Sequence, residues 1–334
     1  MIKKIWKICL MFLMSMMSVS ASANSYVTFR NIKMHYIDFM GVLLLGVFLL
    51  AMISYGFGQK SKKQNKETIK CEAAYCQRAD EIESIKKGFE NEEFKVFLQF
   101  LVDTKSKKIV AAEALSRWEH PEKGLLAPGA FLESISEAGL GCELDFYMFE
   151  RVCRQLELWE GTEFSHIRIS CNFTRDTLSK KDFVETLVSI SNKYDFEKAK
   201  LCIEITEDAI EKSLLDATHN VAECKKLGFQ IALDDLGGGY TSLSNLCDYP
   251  IDIVKIDRFL MAKSDKKRGR DLIGGIIALA RKLDLVVVCE GVETKEQNEF
   301  VSEAECDMIQ GWYYSKAMPV NECENHFRVF TAQG

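Results

Sequence analysis

Residues 229–239 have the sequence FQIALDDLGGG, in which two adjacent aspartates and three glycines directly follow an apolar run. The run 229–233 has the length and composition of a buried β-strand. Asp234 and Asp235 would therefore lie at the carboxyl end of that strand, although such a pair alone is also common in a solvated turn. The glycines lack the lysine and the spacing of a nucleotide-triphosphate loop, so the sequence disfavours that kind of site.

Similar strand-like runs recur along the chain and alternate with helical patterns. The other runs cover 94–102, 109–115, 167–173, 201–205, 251–256 and 285–288. Apolar residues at helical spacing occur in 183–193, 214–227 and 271–283. Strands alternating with helices predict a parallel sheet, and this number of them predicts closure into a TIM-like (β/α)8 barrel.

Most of these runs carry or precede a polar residue near their carboxyl end, and in a barrel those ends meet at one rim. Carboxylates crowded on one rim repel one another, so hard divalent cations with oxygen ligands would stabilise them. Such a rim predicts a metal-dependent barrel enzyme. The residues of this predicted rim are Glu113, Asn172, Glu204, Asp234, Asp235, Lys255, Glu290 and Gln310.

The length and composition set further bounds on structure and function. The 334 residues suffice for one barrel of roughly 250 residues with an N-terminal appendage. A net charge of -6 gives no overall basic field for a DNA or RNA polymer. The 12 cysteines form no CxxC pair and the five histidines are scattered, which disfavours zinc. The cysteines are therefore expected to be free, reduced thiols in a cytoplasmic domain. The alternative for Cys71 and Cys76 is that the two thiols could together bind a ligand.

The first 78 residues predict a membrane segment ahead of the barrel. Residues 1–23 combine three lysines, a short apolar stretch and the sequence ASA, which predicts a signal peptide; an uncleaved first membrane helix is the alternative. Residues 24–38 would form a short periplasmic segment. Residues 39–58 contain no charged residue and are long enough to cross a core of about 30 Å as a transmembrane helix.

Four lysines at positions 60, 62, 63 and 66 follow this apolar segment. By the positive-inside rule they place the following chain in the cytoplasm of a bacterial inner-membrane protein. Residues 59–78 are then predicted to be a cytoplasmic linker, and residues 79–334 the catalytic domain.

Eight short motifs follow one another within about residues 80–325. They are EALSRW (113–118), HP with a later glycine (120–124), SCNFT (170–174), EITE (204–207), LDDLGGGYTSL (233–243), KID (255–257), EGVE (290–293) and QG (310–311). In this order they resemble the motifs of the EAL family of cyclic di-GMP phosphodiesterases. The resemblance implies an EAL-type barrel, and no GGDEF-like segment for cyclic di-GMP synthesis is found.

The resemblance also implies the roles of individual residues. Two Mg²⁺ or Mn²⁺ ions would be bound by Glu113, Asn172, Glu204, Asp234 and Asp235. The catalytic residues would be Lys255, which steadies the attacking hydroxide, and Glu290, which positions Lys255 or a water. Substrate-binding residues would be Gln99, Leu115, Arg117 and Gln310, and loop-supporting residues would be Glu207, Asp257 and Glu293.

Two of these assignments have structural alternatives. Lys255 could form only an ion pair with Asp257, and Arg117 could lie in a surface salt bridge instead of gripping a phosphate. Trp118 and Trp312 are interpreted as packing residues, not as platforms for a base.

The predicted function is hydrolysis of cyclic di-GMP to linear pGpG at the inner membrane by a homodimer that associates through the EAL domain. The alternative is a catalytically weak or inactive domain that binds cyclic di-GMP or a protein. Four residues depart from the family pattern and bear on this alternative; none is a metal ligand, but the two changes in the loop, at 236 and 238, could weaken coupling between dimer and metal site. The four are Phe100 and Ala317 in place of prolines, Leu236 in place of phenylalanine, and Gly238 in place of threonine.

The predicted orientation can be tested with an alkaline phosphatase reporter fused after Lys66. We expect no activity, because the fusion point would lie in the cytoplasm, where disulfides rarely form. A fusion after Lys33, in the predicted periplasmic segment, is the active control. Phosphatase activity at the Lys66 fusion would reverse the predicted topology.

Overall fold

The computed structural model describes residues 26–29, 32–206, 215–237, 246 and 249–333. The predicted signal peptide (1–23), Glu207 and Gly238 lie outside these residues. The chain divides into two compact units, Met1–Ala79 and Asp80–Gly334.

The described part of the first unit consists of a hairpin and most of a long helix. Strands β1 (Tyr26–Phe29) and β2 (Ile32–His35) pair antiparallel and lie in the predicted periplasmic segment. Helix α1 (Tyr36–Glu90) follows and includes the whole predicted linker, 59–78. Its stretch Met40–Phe57 is long and apolar enough to cross a membrane and falls inside the predicted span 39–58. One helix of this kind is weak evidence for an anchor, so the membrane location remains a prediction.

The second unit is a closed barrel, which confirms the predicted fold class. Within the described residues the barrel strands are β3 (Phe94–Asp103), β4 (Ile109–His120), β6 (Arg168–Phe173), β7 (Leu201–Thr206), β8 (Gln230–Leu236), β9 (Ile253–Ile256), β10 (Val286–Cys289) and β11 (Met308–Gln310). These eight strands pair in that order, and β11 pairs with β3 again and so closes the barrel. Two short strands, β5 (Gly124–Leu126) and β12 (Met318–Pro319), extend the sheet.

Helices connect most of the parallel strands and pack on the outside of the barrel. Short 3₁₀ turns at Pro128–Ala130 and Lys198–Lys200 complete the connections. The helices are α2 (Leu132–Glu137), α3 (Gly141–Trp159), α4 (Arg175–Leu178), α5 (Phe183–Ser191), α6 (Leu215–Lys226), α7 (Arg258–Met261), α8 (Lys267–Lys282), α9 (Lys295–Glu303) and α10 (Val320–Gln333).

Strand β3 runs antiparallel to both of its barrel neighbours, β4 and β11. Residues 104–108 alone separate β3 from β4, whereas a parallel crossover needs about a dozen residues or more. The Asp103 carboxylate fixes this tight turn by accepting hydrogen bonds from the backbone N–H and hydroxyl of Ser106 at 2.6 and 2.7 Å. The hairpin register then places Gln99 directly opposite Glu113.

A layer of apolar side chains closes the barrel interior below the rim. Because inward and outward positions alternate along each strand, every strand can contribute both to this layer and to the contacts with the outer helices. The interior layer consists of Leu101, Ala111, Cys202, Ala232, Ile253, Val288 and Met308.

Two glycines of α8 give a matched test of the outer packing. A Cβ at Gly269 would lie 2.0 Å from the Lys263 carbonyl oxygen, whereas a Cβ at Gly274 would meet nothing within 4 Å. We expect Gly269→Ala to lower the free energy of unfolding by about 2 kcal/mol or more, because backbone must move. Gly274→Ala should raise it by about 0.5–1 kcal/mol, since alanine favours the helix. Denaturant titration measures both, and equal effects would contradict this packing.

Candidate active site

The Lys255 side chain lies at the centre of the rim, near the carboxyl end of β9, and is only 1% exposed. Its Nζ lies 2.6 Å from Glu290 Oε1, 3.0 Å from Glu204 Oε2, and 3.3 Å from both Glu113 Oε2 and Asp234 Oδ1. We refer to Glu113, Glu204, Asp234 and Glu290 as the carboxylate cluster. One ammonium thus faces four carboxylates.

Each member of the carboxylate cluster comes from a different part of the barrel. Glu113 lies on β4, Glu204 on β7 and Asp234 on β8, while Glu290 directly follows β10. The parallel registers pair Asn172 with Glu204 and set Asp234 opposite Thr206, two residues beyond Glu204. The strand ends converge on the rim, where these carboxylates reach the same ammonium. The carboxylates predicted from the sequence to lie on the rim are therefore the ones that meet there, and closure of the barrel brings them together.

Amide side chains extend the cluster on the side of β3 and β11. Gln310 donates from Nε2 to Glu113 Oε2 at 2.7 Å and to Gln99 Oε1 at 3.3 Å. Gln99 in turn donates from Nε2 to the carbonyl oxygen of the buried Ser315 at 3.1 Å. On the other side, Asn172 Nδ2 donates to Glu113 Oε1 at 2.9 Å. Each carboxylate oxygen of Glu113 therefore accepts a hydrogen bond from an amide side chain.

Backbone packing fixes the exits of β10 and β11 beside these groups. Gly291, at φ +65°, follows Glu290, and a Cβ there would lie 2.4 Å from the first residue of α7. Gly311 follows Gln310, and a Cβ there would lie 2.0 Å from the carbonyl oxygen of Val292. The predicted EGVE and QG motifs thus have a steric basis, because side chains at these glycines would push the two polar residues away.

The remaining predicted residues lie around the cluster and not within it. Asp235 is exposed, adopts a left-handed conformation at φ 61°, and donates its N–H to Asp234 Oδ1 at 2.9 Å. Asp257 is buried and caps α7 by accepting from the Phe259 N–H at 2.7 Å. Glu293 is exposed, and its N–H donates to Gln297 Oε1. Lys255 therefore pairs with the carboxylate cluster and not with Asp257.

Arg117 and Leu115 continue β4 beyond Glu113 and are half-buried. Within the described residues Arg117 forms no ion pair; its guanidinium lies over the Phe97 ring at 5.4 Å and donates to the Ser116 carbonyl oxygen at 2.8 Å. The surface salt-bridge alternative is therefore absent from the described part of the chain. Trp312 is 61% exposed, so its interpretation as a packing residue was wrong. The Lys316 ammonium lies over its ring, 4.7 Å from the centroid.

Burial and crowding shift the pKa values of these groups in different directions. Burial opposes the charge of Lys255, but the surrounding carboxylates, Glu113 first, hold its pKa well above the usual range. Burial acts to raise the pKa of Glu113 too, but Lys255 and the two amides outweigh it and the pKa is lowered. Burial raises the pKa of Glu204 well above its usual value and that of Glu290 to about 8, although Lys255 opposes both changes.

The donor set fits a hard divalent cation in chemistry and charge. The carboxylate cluster exceeds the single ammonium in negative charge, and the buried Gln310 Oε1 lacks a hydrogen-bond partner among the described groups. No three His, Cys, Asp or Glu side chains within the described ranges are already grouped as a metal site. In the structure, the carboxylates of the cluster surround the Lys255 ammonium.

Sequence similarity relates the chain to known proteins over the region that holds the rim. A family model described as EAL domain matches residues 82–317. An uncharacterized protein of Mycobacterium tuberculosis is 32% identical over 237 residues, 70% of this chain and 38% of that protein. The cyclic di-GMP phosphodiesterase NbdA of Pseudomonas aeruginosa is 29% identical over 249 residues, 74% of this chain and 32% of that protein. The chain thus spans about a third of the length of these curated relatives.

Solved structures share the fold. The PaMucR phosphodiesterase in complex with c-di-GMP has a TM-score of 0.69 and 27% identity, covering 73% of this chain and 99% of that chain. An EAL domain protein from Listeria monocytogenes has a TM-score of 0.66 and 29% identity, covering 74% and 97%. Both likenesses agree with the closed barrel described above.

The shifted pKa of Glu290 predicts how stability depends on pH in metal-free protein. Between the unfolded value, near 4.5, and the folded value of about 8, the folded state binds more protons than the unfolded state. Stability should therefore fall as pH rises through this range. We expect the melting temperature in EDTA to drop between about pH 5 and 8, and Glu290→Gln to reduce the slope. Glu299→Gln on exposed α9 is the control, and an unchanged slope in Glu290→Gln would refute the assignment.

Proposed function

Because the chain belongs to the EAL domain family, we propose that it is a phosphodiesterase specific for cyclic di-GMP, which it hydrolyses to linear pGpG. The observation that carries this proposal is the buried Lys255 ammonium among four carboxylates at the rim. Relatives named as cyclic di-GMP phosphodiesterases support the choice of substrate.

Substrate binding is assigned to the side of the rim formed by β3 and β4. The fork of Arg117 suits two phosphate oxygens, and no ion pair within the described residues competes for it. Burial lowers the pKa of Arg117, but a guanidinium remains charged near neutral pH. Leu115 and the Gln99 amide lie on the same two strands and would contact the rest of the nucleotide.

Two Mg²⁺ or Mn²⁺ ions, bound by Glu113, Asn172, Glu204, Asp234 and Asp235, would supply Lewis acidity that polarises the phosphate and activates a water. Lys255 keeps its ammonium at neutral pH because its pKa is raised, so it can stabilise negative charge that develops at the reacting phosphate. Glu290 Oε1 holds the Lys255 ammonium at 2.6 Å and thereby orients it. Gln310 orients Glu113 and would contact the substrate or a water.

Membrane location and dimerisation belong to the same proposal. The apolar stretch Met40–Phe57 would anchor the chain in the bacterial inner membrane, with the barrel in the cytoplasm. Two barrels would associate through their EAL domains, and anchoring in one membrane would favour this by raising their local concentration.

The test is chromatography of nucleotides after incubation of the protein with cyclic di-GMP and Mg²⁺ or Mn²⁺. We expect pGpG from the native chain, and a roughly thousandfold or greater loss of turnover in Glu113→Ala, because a metal ligand worth several kcal/mol is removed. Glu119→Ala is the control on the same strand, since among the residues described by the structure that exposed side chain forms a single ion pair, with Lys95 at 3.6 Å.

Two outcomes would contradict the proposal in different ways. Native turnover in Glu113→Ala at saturating metal would remove this residue from the site. Tight binding of cyclic di-GMP without turnover by the native chain would favour the receptor alternative.

A further inference from the structure

Asp145 lies on α3, outside the barrel, and is 8% exposed. Its Oδ2 atom accepts three hydrogen bonds from the turn that follows β6. The donors are the Thr174 N–H at 2.8 Å, the Thr174 hydroxyl at 2.7 Å and the Thr177 hydroxyl at 2.5 Å. A buried carboxylate bound in this way orients its partners strongly, because hydrogen bonds to a charged acceptor are the stronger kind.

The turn has contacts of its own, since the Thr174 and Thr177 hydroxyls lie 2.9 Å apart and the Leu178 N–H donates to the Thr174 carbonyl oxygen at 3.0 Å. The Thr174 N–H, however, has its acceptor in the Asp145 carboxylate. Thr174 is the N-cap of α4, yet its side chain makes no capping hydrogen bond. Helix α4 has only four residues, too few to hold a strand exit in place without outside contacts. Asp145, which lies on a different helix, therefore holds the residues on either side of the start of α4.

Other contacts fix the two ends of the same segment. Phe173, one residue before the turn, packs against Phe149 and Phe183 at centroid distances of 5.7 and 5.3 Å. Asn220 donates to the carbonyl oxygens of Leu178, the last residue of α4, and Lys180 at 2.8 and 2.9 Å. Between these two contacts, Asp145 binds the turn at Thr174 and Thr177, and Phe173 alone separates that turn from Asn172.

Asn172 is the rim residue that this turn carries. It lies two positions before Thr174, is itself exposed, and contacts the cluster through one hydrogen bond to Glu113. That bond uses Nδ2 and leaves the amide oxygen for a cation. The position of this oxygen then depends on the backbone that Asp145 holds.

We propose that Asp145 is a positioning residue, which sets the place of the Asn172 amide oxygen and thereby the affinity of the rim for a divalent cation. This assignment rests on the proposed metal-dependent function. Removing groups that orient metal ligands typically costs about 10- to 100-fold in metal affinity.

The experiment measures Mn²⁺ binding to the full chain in detergent by electron paramagnetic resonance, and hydrogen exchange of the 171–178 segment. In Asp145→Ala we expect the dissociation constant for Mn²⁺ to rise about tenfold or more and exchange of this segment to accelerate. Asp145→Asn keeps an acceptor oxygen and should restore most of the affinity. Thr177→Val removes one of the three bonds and should give a smaller effect.

Val152→Ala is the matched control, since it truncates a fully buried side chain on the same helix. It should lower stability and leave Mn²⁺ affinity at the native value, whereas a purely structural role for Asp145 would give the two variants the same affinity. If Asp145→Ala fails to fold, the Mn²⁺ affinity of Thr177→Val tests the positioning role in its place.

The two levels of the proposal fail in distinguishable ways. Native Mn²⁺ affinity in a folded Asp145→Ala or Thr177→Val protein would overturn the positioning role alone. A native chain that neither binds Mn²⁺ nor hydrolyses cyclic di-GMP would overturn the proposed function and this assignment with it.

Discussion

The buried ammonium of Lys255 is the interaction on which the rim depends, because it holds together carboxylates from four separate segments. Taking such charges out of water costs several kcal/mol each, and the carboxylates also repel one another. The ammonium offsets these costs only if each segment brings its carboxylate within ion-pair distance of Lys255 Nζ. The apolar layer beneath, with Leu101 and Ile253 among its members, holds the strands in these positions by filling the barrel interior.

Much of this arrangement could be predicted from the sequence, since it rests on local patterns. Each barrel strand from β6 to β10 coincides with an apolar run to within a few residues, because buried parallel strands need continuous apolar sequence. The residues that meet around Lys255 were identifiable for the same reason, as polar residues at the ends of such runs. Family resemblance supplied roles for them that spacing alone does not give.

The features that escaped prediction depend on contacts between distant parts of the chain. The bonds from Thr174 and Thr177 to Asp145 join residues about 30 positions apart, and nothing in the local sequence of α3 marks that aspartate as a partner. Exposure of Trp312 is likewise decided by what packs nearby and not by the residue type. The apolar runs also do not give strand direction, so the antiparallel course of β3 follows only from the short turn after it.

That antiparallel strand has a consequence for how the protein is made. The hairpin of β3 and β4 can form early during synthesis, but the other edge of β3 is paired only when Met308–Gln310 has emerged, some two hundred residues later. At roughly 5–20 residues per second the ribosome needs on the order of ten to forty seconds for that length. An unpaired strand edge invites association with other chains. The nascent polypeptide therefore keeps an unpaired edge of β3 until Met308–Gln310, and then Met318–Pro319, have been made and have paired with it.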